Sequence, residues 1–225
     1  MRRFLRDNGL SIVVLTLFFI TLVGQSIAGR LEYNNEQEDH GEPAVGYVEY
    51  LGTGHWVESV FENWESEFLQ MGLYVFLTVF LVQRGSAESK PPEDEQEEGG
   101  EVVDEDPADH RNDPNAPWPV RRGGLVLKLY ECSLSLAFLV LFLISFWGHA
   151  VGGAADYNEE QVIHGGPPLS ILAYMGTARF WFESLQNWQS EFLAVASIVI
   201  LSIMLRQRGS PESKPVHAPT WQTGA

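Results

Sequence analysis

Three groups of residues in the first half of the chain return in the second half at a constant offset of 124 positions. Tyr33-Asn34, Glu36-Gln37 and His40-Gly41 return as Tyr157-Asn158, Glu160-Gln161 and His164-Gly165. Asn63-Trp64 and Ser66-Glu67-Phe68-Leu69 return as Asn187-Trp188 and Ser190-Glu191-Phe192-Leu193. Gln83-Arg84-Gly85-Ser86 and Glu88-Ser89-Lys90-Pro91 return as Gln207-Arg208-Gly209-Ser210 and Glu212-Ser213-Lys214-Pro215. A whole unit was duplicated with its internal lengths kept, so the two halves are expected to fold alike.

The near-neutral mean hydropathy averages two unlike materials, apolar blocks and an acidic remainder. The blocks are Leu10–Ala28, Phe61–Val82, Ser133–Val151 and Phe180–Leu205. A helix needs about 20 residues to cross a ~30 Å hydrocarbon core. The first and third blocks have that length. The second and fourth are apolar only over Phe68–Val82 and Phe192–Leu205, and must recruit their polar N-terminal turns to span. The expected fold is all-α integral membrane, with four transmembrane helices as two parallel, same-orientation two-helix repeats. Two crossings per repeat put both halves in the same orientation, related by an axis along the membrane normal. The expected boundaries are 1–91 for the first repeat, 92–120 for a linker, 121–215 for the second repeat and 216–225 for a flexible C-terminal tail.

The linker carries eleven acidic residues and one basic residue between Pro92 and Val120. Rich in Pro, Gly and Glu, it cannot bury enough apolar surface to fold, and is expected to be a disordered acidic spacer. With the N-terminus in the cytoplasm, twelve Lys and Arg residues fall inside and only Arg30 and Arg179 outside, a strong positive-inside bias. Both termini and the linker are then cytoplasmic. A cleaved signal peptide ending at Ser26-Ile27-Ala28 is the rival reading of residues 1–29. It fails on the repeat, because the matching segment Leu134–Gly153 is internal. The single cysteine, Cys132, excludes an intramolecular disulfide and a cysteine-based zinc cluster.

Four features draw attention. Gly24, and Gly148 with Gly152, put small residues at the ends of the first helix of each half, where helix backbones can approach closely. Glu36 and His40, like Glu160 and His164, stand at i and i+4 on one helical face, a weak candidate zinc or pH-sensing site against the simpler reading of capping and hydrogen bonding. Trp56, Val60, Trp64 and Phe68, matched by Trp181, Leu185, Trp188 and Phe192, form an apolar interfacial stripe. Beside it runs a polar stripe of Asn63, Ser66 and Glu67, matched by Asn187, Ser190 and Glu191. An ionisable group at the hydrocarbon edge is costly unless it faces protein or water. Glu67 and Glu191 are therefore the candidate ion or proton site, against the alternative that they snorkel or bond within the bundle. The second helix of each half ends in Gln-Arg-Gly-Ser-x-Glu-Ser-Lys-Pro. Arg84, Gly85, Ser86 and Lys90, matched by Arg208, Gly209, Ser210 and Lys214, read as a helix stop and positive anchor. Eight of nine positions agree between the copies, more than a stop requires, so the motif is also a candidate surface for lipid head groups or a cytoplasmic partner.

There is no phosphate loop, no zinc-protease His-Glu-x-x-His, no nucleophile elbow and no basic aromatic surface for nucleic acid. An enzyme, a cofactor and a nucleic-acid partner are not expected. The repeated Asn-Trp-x-Ser-Glu-Phe-Leu and Gln-Arg-Gly-Ser-x-Glu-Ser-Lys-Pro motifs resemble those of a prokaryotic family of membrane proteins classed only as a domain of unknown function. The resemblance covers nearly the whole chain outside the linker. It implies a multi-pass protein of a prokaryotic plasma membrane and no activity. The expected roles are movement or sensing of a small cation or proton through the helix bundle, or a non-enzymatic scaffold that binds a cytoplasmic partner or lipid head groups. The expected partners are the lipid bilayer and, since four helices make a small core, a second copy of the chain.

Overall fold

A computed structural model describes residues 2–92 and 106–224, and every regular element among them is helical. The order is α1 Arg2–Asp7, α2 Gly9–His40, α3 Tyr47–Tyr50, α4 Gly54–Phe80, α5 Trp118–Arg122, α6 Gly124–Glu131, α7 Ser133–Ile163, α8 Ile171–Tyr174 and α9 Ala178–Leu201. The four apolar blocks lie in α2, α4, α7 and α9. Two of these, α2 and α7, are long and apolar enough to cross a membrane. In their most apolar windows only 6% and 17% of residues are buried. α4 and α9 begin with several carboxylates and miss the same standard.

The chain divides into two compact units. One comprises Met1–Glu62 and Phe146–Trp181, the other Asn63–Ser145 and Phe182–Ala225. Each takes part of both sequence halves. The acidic run at residues 93–105 lies outside the described residues. The remainder of the expected disordered linker has local structure. Asp106 Oδ1 accepts from Ala108 N and Asp113 Oδ1 from Asn115 N, both at 2.8 Å, which sets short turns before α5 begins at Trp118.

In the first unit, the small residues of α7 decide the packing. Ala150 and Ala154 sit in a core with Tyr174 and Phe180, flanked by Phe146, Tyr157, Ile171 and Met175. A Cβ at Gly152 would strike the backbone of Val57 and Glu58, and one at Gly148 would lie 2.5 Å from the Phe61 ring. The Gly148-x-x-x-Gly152 pattern thus seats α7 against the start of α4, as the small-residue spacing predicts. Gly24 has nothing within 4 Å of such a Cβ. α2 runs unbroken through Ser26-Ile27-Ala28. Ser26 is buried and hydrogen-bonds the Tyr47 hydroxyl at 2.6 Å.

In the second unit, Gly72 receives Phe138, Phe142 meets the Trp188 ring edge-on, and Gln70 Nε2 donates to the Glu191 carbonyl at 3.1 Å. α4 ends at Phe80 and α9 at Leu201, several residues before Gly85 and Gly209. Those glycines do adopt left-handed backbone, at φ 82° and 84°, but in the turn that follows the helix rather than at its first non-helical residue. In the tail, Thr223 Oγ1 accepts from Gly85 N, and Gly224 N donates to the Ser86 carbonyl, both at 2.9 Å.

Candidate functional site

In the first unit, buried and half-buried polar side chains gather where the Tyr-Asn ends of α2 and α7 meet the turns that follow them. The framework is repeated. Asn34 makes two bonds with Val45, donating to its carbonyl at 3.2 Å and accepting from its amide at 2.9 Å. Asn158 does the same with Leu169, at 2.9 and 2.7 Å. Each asparagine ties its turn to the helix it left. Tyr50 and Tyr174, both fully buried, then place their hydroxyls over Gly29 and Gly153, where any Cβ would collide with them.

Beyond the framework the two halves diverge. The Tyr50 hydroxyl hydrogen-bonds His55 Nδ1 at 3.1 Å. Burial, with the nearby charges of Glu32 and Asp156, pushes this phenol up to about 12. The Tyr174 hydroxyl instead donates to Glu58 Oε1 at 3.1 Å. Glu58 is 7% exposed and His149 is fully buried, with the imidazole stacked 4.8 Å from the Phe180 ring. A Glu58 carboxylate oxygen and a His149 ring nitrogen lie within 4.8 Å of one another. Asp156 interacts with the Glu58 carboxyl. Arg179 binds Asp156 at 3.1 Å and Glu160 at 2.6 Å. Tyr33 and Gln37, both buried, converge on the Glu159 carboxylate, with Gln37 Nε2 at 2.8 Å from it. The result is a buried acid and a buried imidazole beside the half-buried Asp156, oriented by tyrosine hydroxyls. Such a group can store a proton, pass it on, or offer an oxygen and a nitrogen to a cation.

The Glu36, His40, Glu160 and His164 set is brought only partly together. His40 and His164 meet edge to face, with ring centroids 6.0 Å apart. Each Nδ1 bonds the backbone carbonyl of Glu36 or Glu160 at 2.8 Å, not the carboxylate, and the Glu160 carboxylate is engaged by Arg179. These four residues do not close into an ion-sized cluster among the described residues.

The family described as Domain of unknown function (DUF6766) matches residues 1–225. The chain belongs to that family. No curated protein and no solved structure matches it. What this DUF6766 chain does has therefore to be read from its own side chains.

The polar stripe of Asn63, Ser66, Glu67, Asn187, Ser190 and Glu191 lies in the second unit. Glu67 is exposed and Glu191 half-buried, although the two are close enough for their charges to interact. Ser66 and Ser190 spend their hydroxyl protons on the Asn63 and Asn187 carbonyls, each at 2.8 Å, and Asn187 Nδ2 donates to the Glu183 carbonyl at 3.1 Å. The fully buried carboxylate of α4 is Glu65, which accepts from Trp188 Nε1 at 3.2 Å. Glu58, Glu65 and His149 were all missed by the sequence reading. The signal for His149 was present: it is the one ionisable residue in the apolar block Ser133–Val151 of this DUF6766 sequence. Glu58 and Glu65 are seven apart, two helical turns, and so share a face of α4.

The terminal motifs pack on one another. Ser86 Oγ and Ser202 Oγ are 2.9 Å apart, and the fully buried Lys214 donates to the Gly85, Thr220 and Gln222 carbonyls at 2.5, 3.0 and 2.9 Å. Lys90 reaches the Val79 carbonyl at 2.5 Å instead. Glu88 hydrogen-bonds Glu212, its counterpart in the second copy. Burial, followed by the Glu212 charge, raises Glu88 above the usual carboxylate range, while a hydrogen bond from Tyr74 pulls the other way.

Proposed function

We propose that this chain is an integral membrane protein that moves or senses protons or a small cation, with Glu58, His149 and Asp156 as the titrating group. The observation that carries the reading is a buried acid and a buried imidazole within 4.8 Å of each other, in a chain whose long helices are otherwise coated with apolar side chains. An intramembrane or membrane-edge ionisable group is retained for function more often than for stability, because its burial costs free energy.

The proposed topology is four crossings by α2, α4, α7 and α9, with the two halves inserted in the same orientation and both termini in a prokaryotic cytoplasm. Its support is the charge bias and the exposed apolar surface. Phe76, Val79 and Phe80 on α4, and Leu193, Ile198, Ile200 and Leu201 on α9, are as exposed as Leu17, Phe19 and Ile20 on α2. Water does not tolerate so much continuous apolar surface, and lipid does. The polar residues on these faces bond their own helices: Thr16 to the Ile12 carbonyl, Thr21 to Leu17 and Ser197 to Leu193. Cys132, exposed just before α7, reports the topology. An impermeant maleimide should leave it unlabelled in intact cells and label it in inverted vesicles. Labelling in intact cells would reverse the orientation.

Flux tests the activity. Purified protein in sealed liposomes should conduct protons or one of a panel of monovalent cations, and Glu58→Gln should abolish that flux in a protein that still elutes as a folded species. Wild-type liposomes as tight as empty ones across the panel would remove the proposal.

A further inference from the structure

The two copies of the Gln-Arg-Gly-Ser-x-Glu-Ser-Lys-Pro motif adopt the same turn, but only one is covered. In both, the serine after glycine accepts from the glutamate amide at 3.1 Å: Ser86 from Glu88, Ser210 from Glu212. In both, the later serine accepts from the glutamine amide, Ser89 from Gln83 at 2.9 Å and Ser213 from Gln207 at 2.8 Å. The glycines share left-handed φ values of 82° and 84°. Over the first copy lies the C-terminal tail, whose Thr223 oxygen accepts the Gly85 N–H and whose Thr220 carbonyl lies against Gly85. Over the second copy there is open space. A Cβ on Gly209 would meet nothing within 4 Å, and among the described residues neither the Gly209 N–H nor the Arg208 guanidinium has a hydrogen-bond or ion-pair partner.

That space is a cavity of about 570 Å³ lined by Arg208, Gly209, Ser210, Ser213, Lys214 and His217 among others, with no aspartate or glutamate in its wall. In a chain of net charge -16 this is a marked local reversal of sign. The Lys214 ammonium is fixed beneath by three carbonyls, so its charge stays in place while its protons are already spent. A left-handed glycine amide beside an unoccupied guanidinium and a serine hydroxyl is the donor arrangement that suits a phosphate: the amide supplies an anion nest, and the planar arginine fork matches two phosphate oxygens.

We propose that this cavity binds a phosphate group, supplied by the head group of an anionic lipid, in the position that a tail oxygen takes over the first copy. The choice of lipid rests on the membrane reading above. The motif begins at Gln207, shortly after α9 ends at Leu201, and the last exposed apolar residues before it are Leu201, Met204 and Leu205. The cavity therefore begins where the apolar surface ends, at head-group depth.

The test is calorimetric titration of the full chain in a neutral detergent with dioctanoyl phosphatidic acid, dioctanoyl phosphatidylcholine and inorganic phosphate. Phosphatidic acid should bind and phosphatidylcholine should bind at least about tenfold more weakly. Arg208→Gln should weaken phosphatidic acid binding by about tenfold, the loss expected for one charge-assisted contact. Arg84→Gln removes the same net charge from the covered copy and should leave it unchanged. Inorganic phosphate binding as tightly as phosphatidic acid would uphold the phosphate site and make free phosphate its source. Absence of phosphatidic acid binding, or equal weakening by the two arginine variants, would overturn the site. Neither result depends on whether the chain conducts ions.

Discussion

The turn after α2 and the turn after α7 share one frame as far as Tyr50 and Tyr174 and then part. Asn34 and Asn158 bind Val45 and Leu169 bond for bond, and Tyr50 and Tyr174 close over Gly29 and Gly153. Past the tyrosines, the first half places His55 and Glu58 where the second has Arg179 and Phe182. Tyr50 turns to His55, and Tyr174 turns to the Glu58 of the other half. Duplication has kept the frame that shapes the backbone and released the positions that carry charge. Glu58 has no acidic counterpart in the other half, and His149 has no basic one. His149 corresponds to Gln25, an exposed residue bonded to Ser59.

Matched substitutions in the two halves sharpen this contrast. The largest effect is expected at Gly152, whose counterpart Ala28 already carries a Cβ. Gly152→Val drives a side chain into the backbone of Val57 and Glu58, which cannot yield, and should cost about 3 kcal/mol or prevent accumulation of the folded protein. Gly24→Val, matched in the second half by Gly148 whose Cβ would meet the Phe61 ring, falls in open space and should leave the melting temperature close to wild type; damage as large as that of Gly148→Val would mean that the halves pack alike after all. Next come the asparagines. Asn34→Ala and Asn158→Ala each remove two bonds to a turn, and each should cost about 2 kcal/mol. A large inequality in thermal unfolding would show that the frame is not held equally in both copies.

The tyrosines should separate. Tyr174→Phe leaves a buried carboxyl without its hydroxyl donor and should cost about 2 kcal/mol, whereas Tyr50→Phe loses one hydrogen bond to the half-buried His55 and should cost about 1 kcal/mol. The smallest effect concerns the motif pair Glu88 and Glu212. Since Glu88 titrates above its ordinary 4.5 in the folded protein, the fold favours its protonated form. Ionising it therefore weakens the fold as pH rises from 4.5 through the raised value, and the loss persists above it. Glu88→Gln should flatten that decline, and a variant whose stability falls with pH as steeply as wild type would remove Glu88 as its source.

The sequence made the helices legible because their signals are long: four apolar blocks, a basic bias at one set of ends and glycines at a repeated turn. It also marked the small-residue face of α7 correctly, since Gly148 and Gly152 do seat α4. The candidate site was less legible, and the reason is physical. Repetition singles out residues that the fold needs twice, and those proved to be turn ties, backbone-bonded serines and an exposed Glu67. Burial singles out Glu58, Glu65 and His149, and burial depends on which helix lies opposite. His149 alone was within reach of a sequence argument, as the one ionisable side chain in an apolar run. The tail was unreadable for a related reason. Thr223 and Gly224 are held by Gly85 and Ser86, partners more than a hundred positions away in the chain.

Infrared difference spectroscopy between acidic and alkaline pH tests the central claim most directly, because a buried protonated carboxyl gives a resolved carbonyl stretch. Wild-type protein in lipid should show such a band, Glu58→Gln should lose it, and Glu67→Gln/Glu191→Gln should keep it. A band that survives Glu58→Gln and disappears in the double variant would move the proton from the buried, unrepeated acid to the duplicated pair, and would contradict the account.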